Sequence, residues 1–312
     1  MSGGRKEPLS VYFNHMSFTP PSKKEAAAAA GDTSDLPPAL RRAFTPGSDF
    51  QLIPRPRPGD WLAEHLEAGQ TFADFVRNRP PRPGGGRDTV FLQPLGGFPA
   101  GGGPSLTTLE TFAAAALAMK VITAPPLLLE DAALTTRLNP LTGHRQVLTT
   151  DVLGRLKALL PAEAFCVLAV TFEDLYPAPS WNFVFGQASL RDRVGVFSFA
   201  RYDPAFYGQA RGPDYNETLL RRCAKVLLHE ILHMFNIHHC LFYSCLMNGS
   251  NHLAESDRRP LHLCPVCLRK LHHGVGFNPI ERYRALLVFY HRVGFKDEAE
   301  WVSKRMDWLV GE

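Results

Sequence analysis

The sequence predicts a mixed α/β (α+β) fold. A twisted mixed sheet is covered by helices, one of them long, with an extension in front and a helical segment behind. Three observations predict it. From Asp88 onward, short β-branched and aromatic runs alternate with helical patterns, as a sheet covered by helices requires. Residues 218–235 read as one unbroken helix. Before residue 88 the composition is rich in Pro, Ala, Gly and Arg.

Taken in order, residues 1–87 form an extension expected to be partly disordered, and residues 88–312 form the main domain. Ala26 to Ala30 is a short low-complexity run, and Ile53-Pro54-Arg55-Pro56-Arg57-Pro58 is stiff and extended. Trp61-Leu62 and Phe72 with Phe75-Val76 are apolar patches suited to short docking helices. Pro80 to Gly86 reads as a linker. Residues 89–92 read as a strand, 106–119 as a helix with Thr107 and Glu110 at capping-box spacing. Residues 121–129 read as a strand that Pro125-Pro126 interrupts or places at an edge. A helix is expected over 151–160 and a buried strand over 165–172. Residues 181–185 and 194–199 are further strand candidates.

Charge and composition exclude some function classes. The hydrophobic content of 45% supports a core, and the net charge of +4 is too mild for a nucleic-acid surface. No apolar run reaches the length of about 18 residues that a membrane span needs. The polar start Met1-Ser2-Gly3-Gly4-Arg5-Lys6 lacks the apolar core of a secretory signal. We therefore expect a cytoplasmic or nuclear protein with no nucleic-acid or membrane partner. In that reducing setting Cys166, Cys223, Cys240, Cys245, Cys264 and Cys267 read as metal ligands or buried thiols rather than disulfides.

The long helix carries His229-Glu230-Ile231-Leu232-His233. Positions i and i+4 share a helix face, so both imidazoles can bind one ion, while Glu230 reaches a water beside it. His239 follows at the spacing H-E-x-x-H-x-x-N-x-x-H. For it to return to the metal the chain must turn sharply, and Asn236 stands where a left-handed residue belongs. Three protein ligands leave one position open, as catalytic zinc requires. A bare HExxH also occurs by chance, and His238 competes with His239 for the third position. His239 fits the three-residue steps.

Cys240-x4-Cys245 and Cys264-Pro265-Val266-Cys267 follow at once. Four thiolates close a tetrahedral shell, the structural type of zinc site, so two zinc ions per chain are expected. Two disulfides or free buried thiols are the blander alternative. Cys166 and Cys223 lie in apolar patterns and read as core thiols. Met247 alone would be ordinary packing.

Together these residues resemble the archaemetzincin family of zinc peptidases, vertebrate-type. The resemblance rests on the His229–Met247 motif, on Cys264 and Cys267, on Asn251-His252-Leu253, Asp257-Arg258-Arg259-Pro260-Leu261, and on Ser180 to Ser189 with Phe197 to Tyr202. It implies a metzincin-like zinc peptidase domain acting on peptide or protein substrates. His229, His233 and His239 would hold catalytic zinc, with Glu230 as general base. Cys240, Cys245, Cys264 and Cys267 would hold structural zinc, and Met247 would form the Met-turn beneath the site. It further implies an aminopeptidase-like preference. The family usually has Gly where this chain has Asn236, which costs about 1 kcal/mol in a left-handed turn. The rival reading is a catalytically weak or inactive zinc-stabilised interaction protein, against which the intact Glu230 argues.

Two further expectations concern access. A substrate would add to an edge strand, for which 194–200 is the candidate. The extension would restrain entry, using His15, Asp49, Asp60, Glu64, His65, Glu67 or Asp74 as a blocking group, unless it merely packs behind the sheet.

Overall fold

The computed structural model describes residues 18–98 and 103–311. Four short helices come first: α1 (Lys23–Ala28), α2 (Pro38–Ala43), α3 (Trp61–Glu64) and α4 (Phe72–Arg77). Ser22 and Thr71 start α1 and α4 with reciprocal capping boxes to Glu25 and Asp74. The alanine run is the buried face of α1 and its end, with Ala26, Ala29 and Ala30 in the main core. His15 lies outside the described residues.

The main domain continues with β1 (Thr89–Leu95), α5 (Leu106–Leu117), β2 (Lys120–Thr123), α6 (Leu129–Ala132), β3 (Thr136–Leu138), β4 (Arg145–Leu148), α7 (Thr149–Ala158), β5 (Ala164–Thr171), β6 (Asp174–Tyr176), β7 (Gly186–Ser189) and β8 (Val194–Ser198). It closes with α8 (Tyr215–Met234), α9 (Leu253–Arg258), α10 (Pro265–Val275), α11 (Pro279–Val293) and α12 (Lys296–Val310). The larger sheet has the order β2-β1-β5-β8-β7, parallel except for β7, which runs antiparallel to β8. The smaller sheet has the order β3-β4-β6.

Side chains alternate across the larger sheet. Val90, Leu92, Cys166, Leu168, Val170 and Phe197 face the core shared with α5 and α8. Phe91, Val167, Ala169, Val194 and Val196 face a second core with Val152 and Leu156 of α7. A sheet covered on both faces is apolar throughout its central strands, which is why all of β5 is buried.

Several boundaries depart from the sequence pattern. Ser105, not Thr107, caps α5, and Glu110 instead accepts from the N–H and hydroxyl of Thr123. Residues 181–185 form no strand beyond a single bridge from Val184 to Leu175. The hairpin partner of β8 is Gly186–Ser189. Consequently β8 is an interior strand and β7 is the edge, which corrects the expectation placed on 194–200. The basic residues that follow the cysteines also hold the extension. Lys270 is buried against Gln70, and Arg269 donates to the carbonyls of Ala30 and Asp32.

The described part of the extension has no core of its own. Phe44, Phe50 and Phe75 belong to the same buried cluster as the sheet and α8. Arg305 of α12 donates to the carbonyls of Arg42, Ala43 and Thr45. Ile53 N–H donates to Phe242 O, and Ser244 N–H to Gln51 O. Among the described residues no helix is long and apolar enough to cross a membrane.

Candidate active site

α8 runs from Tyr215 to Met234 and brings His229, Glu230 and His233 to the floor of a cavity of about 770 Å³. The helix ends in a Schellman turn. Asn236 takes φ +64°, its N–H donates to His233 O, and Ile237 N–H reaches back to Leu232 O. Leu232 and Ile237 are both fully buried, supplying the apolar contact that accompanies this motif. The left-handed turn expected at Asn236 is present, and it reverses the chain so that His239 returns to the helix.

One nitrogen each of His229, His233 and His239 lies within 4.8 Å of the others, and the Nε2 atoms of His229 and His233 are 3.1 Å apart. Zinc bonds of about 2.1 Å in a tetrahedron place ligand nitrogens about 3.4 Å apart, so the three imidazoles fit the ion. Every Nδ1 faces an oxygen: Leu246 O at 3.1 Å for His229, Ile237 O at 2.8 Å for His233, and Glu67 Oε1 at 2.8 Å for His239. An imidazole donating from Nδ1 keeps its lone pair on Nε2, the tautomer a metal needs. Burial drives the pKa of His229 well below its ordinary value and that of His233 down to about 3, with neighbouring positive groups acting in the same direction. Both rings are therefore neutral near pH 7. His238 stands outside the triad. Its backbone N–H donates to Gln70 Oε1.

Glu230 is 7% exposed. Burial raises its carboxyl pKa to about 8, against the opposing pull of Arg259. A Cβ on Gly186 would stand 2.8 Å from Glu230 Oε1, so the edge strand passes directly over the carboxylate. Only a residue without a side chain permits that approach.

The cysteine cluster adjoins this floor. One sulfur from each of Cys240, Cys245, Cys264 and Cys267 lies within 4.8 Å of the rest, with Cys240 Sγ and Cys264 Sγ 3.5 Å apart. Zinc–sulfur bonds of about 2.3 Å place thiolates about 3.8 Å apart, so this donor set also fits zinc. All four are unbridged, as are Cys166 and Cys223, which are fully buried in β5 and α8. The backbone N–H groups of Met247 and Cys264 point at Cys245 Sγ, at 3.5 and 3.3 Å. Met247 is fully buried, and its carbonyl accepts from Cys240 N–H at 2.8 Å. The adjoining Leu246 carbonyl receives His229, so one short loop serves both clusters.

Sequence reasoning passed over several supporting residues. Buried Arg259 donates to Asn248 O and to Ser256 Oγ, bracing the loop after the cysteines. Asn248 accepts from Cys245 N–H and donates to the carbonyls of Cys240 and Tyr243. Trp61 packs edge-on to His239 with ring centroids 5.3 Å apart. Glu67, named above as a candidate blocking group, contacts Nδ1 of His239 instead. Asp60, His252 and Glu255 also converge, but they serve a tether. Asp60 accepts from Arg258 at 2.6 Å, and Glu255 accepts from the N–H groups of Trp61 and Asn251. The Arg258 guanidinium already balances the Asp60 charge.

This chain is similar to known peptidases. The profile of peptidase family M54 matches residues 147–273. Archaemetzincin-2 of Macaca fascicularis is 40% identical over 281 residues, covering 80% of this chain and 77% of that protein. Archaemetzincin-1 of Homo sapiens is 32% identical over 263 residues, covering 75% of this chain and 52% of that protein. The crystal structure of archaemetzincin from Methanopyrus kandleri aligns with a TM-score of 0.47 and 31% identity, over 62% of this chain and 97% of that one. At 40% identity to archaemetzincin-2 over 80% of this chain and 77% of that protein, the chain belongs to peptidase family M54, the archaemetzincins, and is a zinc metallopeptidase.

Proposed function

We propose that peptide-bond hydrolysis occurs at the three-histidine cluster, with His229, His233 and His239 holding zinc and Glu230 acting as general base. The observation that carries this reading is the convergence of three imidazoles, each with Nδ1 facing an oxygen, beside a buried carboxylate at the cavity floor. Zinc bound there supplies a Lewis acid that polarises the scissile carbonyl and lowers the pKa of water towards about 7. Glu230 removes the proton from the attacking water and delivers it to the leaving amine. The substrate lies extended along β7, the sheet edge nearest Glu230, where free backbone groups accept an added strand.

Cys240, Cys245, Cys264 and Cys267 hold a second, structural zinc, giving two ions per chain, and Met247 acts as the Met-turn beneath the first. The aminopeptidase-like preference rests on the resemblance, and end-blocked peptides test it. Six unbridged cysteines suit the cytoplasm or nucleus.

Glu230→Gln tests the central assignment. We expect hydrolysis to fall by about 10²–10⁴-fold, the range for losing a general base, with zinc content unchanged at two per chain. Turnover at the wild-type rate would remove Glu230 from the mechanism and require another base.

A further inference from the structure

Residues 60–70 precede the main domain in sequence, yet they run past the third histidine of the cluster. The segment is held at both ends. At its start Asp60 accepts from Arg258 at 2.6 Å and contacts His252 Nε2 at 3.1 Å, while the N–H of Trp61 donates to Glu255 at 2.9 Å. At its end Gln70, 3% exposed, grips the turn that delivers His239. Gln70 Nε2 donates to Asn236 O at 3.1 Å, and Gln70 Oε1 accepts from His238 N–H at 3.1 Å. Lys270, 1% exposed, donates to both the backbone and side-chain oxygens of Gln70 and so fixes the amide.

Between these anchors stands Glu67. Its carboxylate oxygens lie 2.8 and 3.1 Å from His239 Nδ1, while Trp61 packs edge-on against the same ring. The other two histidines find their acceptors in backbone carbonyls of their own neighbourhood, Leu246 and Ile237. His239 alone faces a charged acceptor, and that acceptor comes from 172 residues away.

We infer that residues 60–70 form a strap in which Glu67 is a positioning residue for His239 and Gln70 clamps its turn, so that the extension sets the zinc affinity of the histidine site. This rests on His239 being a zinc ligand. The chemistry is that of a carboxylate–histidine–metal relay: the carboxylate fixes the tautomer and ring plane and makes Nε2 a stronger donor. The geometry also argues against Glu67 as a blocking group, since its carboxylate is already engaged with the Nδ1 side of the ring. His239 sits on a loop beyond the helix end, unlike His229 and His233, so it has the most to gain from an outside brace.

The test measures zinc affinity of the full chain by competition with a chromophoric chelator, with the cysteine site kept loaded. It is repeated with cobalt, whose visible spectrum reports ligand geometry. Glu67→Ala is expected to weaken zinc binding at the histidine site by about 10–100-fold, as for loss of such outer partners in other zinc sites, and to alter the cobalt spectrum. Glu67→Gln keeps an acceptor oxygen without the charge and should recover part of that loss. Asp74→Ala removes the capping-box partner of Thr71 and the ion pair with Arg77 in the same extension, neither of which touches the histidines, and should leave affinity unchanged. Zinc affinity of Glu67→Ala within twofold of wild type overturns the inference. A loss of equal size in Asp74→Ala also overturns it, because general loosening would then explain the effect. If Glu67→Ala does not fold, Glu67→Gln decides alone: weaker binding supports the strap, and unchanged binding overturns it. His239→Ala separates the two claims. Unchanged zinc affinity there removes His239 as a ligand, whereas a loss there beside an unaffected Glu67→Ala removes the strap only.

Discussion

At position 236 the chain adopts a left-handed conformation with a side chain present, φ +64°. Asn tolerates this region better than most residues but less well than Gly. Its backbone N–H and carbonyl are both used, by His233 and Gln70, and either would survive a change of side chain. Asn236→Gly should therefore leave zinc binding intact. Stability should rise by a few tenths to about 1 kcal/mol, the relief of strain being partly offset by the freer unfolded chain. Denaturant midpoints with parallel zinc analysis check this, and a loss of zinc would reveal a specific role for the amide. This turn was legible because a single requirement acts on a single residue: the third ligand six positions after His233 demands a reversal between them. Glu67 was not legible in the same way. No local periodicity relates it to His239, and one acid among several in a Pro-rich stretch carries no mark of its partner.

The edge strand β7 and the helix α8 approach closely at Gly186 and Glu230. A Cβ at 186 would lie 2.8 Å from Glu230 Oε1 and 2.9 Å from Val196 O, both far inside van der Waals contact. The backbone cannot retreat easily, since β7 is paired to β8 from Gly186 through Ser189. Glu230 must move, and β7 must shift against Val196 O as well. Gly186→Ala is thus expected to lower kcat by about 10²-fold, typical of a displaced catalytic group, while the three histidines keep their zinc. Equal kcat in the variant would mean the carboxylate has slack that the packing does not suggest. Periodicity located β5 and β8 because fully buried parallel strands read as continuous apolar runs. It missed β7, whose sequence Gly-Gln-Ala-Ser is half-buried and has no apolar alternation. It also placed the strand at the aromatic residues just before it, which instead line the cavity.

Across the whole molecule, the described residues before Asp88 pack on the main domain: Phe44, Phe50 and Phe75 lie in the main core, and Ile53 and Leu62 form a small cluster with Leu241. All five are under 10% exposed. At about 2 kcal/mol per buried side chain these five alone contribute about 10 kcal/mol, comparable to the net stability of a typical domain. Removing them also uncovers Leu241 and the apolar faces of α10 and α12. A chain beginning near Gly84 should therefore fail to accumulate as soluble folded protein, judged by near-ultraviolet circular dichroism and a cooperative melt. A truncated chain that folds and cleaves peptides faster than the full one would instead favour restraint of access by the extension.

What the sequence determined by itself is the chemistry that neighbours in the chain can carry. His229, Glu230, His233, His239 and the four cysteines fall within 39 residues, and helix geometry plus one forced turn groups most of them without knowledge of the rest. The alternation of strands and helices likewise follows from local pattern. Tertiary structure decided everything that depends on distant partners. It chose β7 as the edge, buried Ala26, Ala29, Ala30 and Phe75 in the core, and set Glu67 and Gln70 against the third histidine. Side-chain periodicity fixes which face of an element is buried. Which other element covers that face depends on the packing of the whole chain, and no short window of sequence contains it.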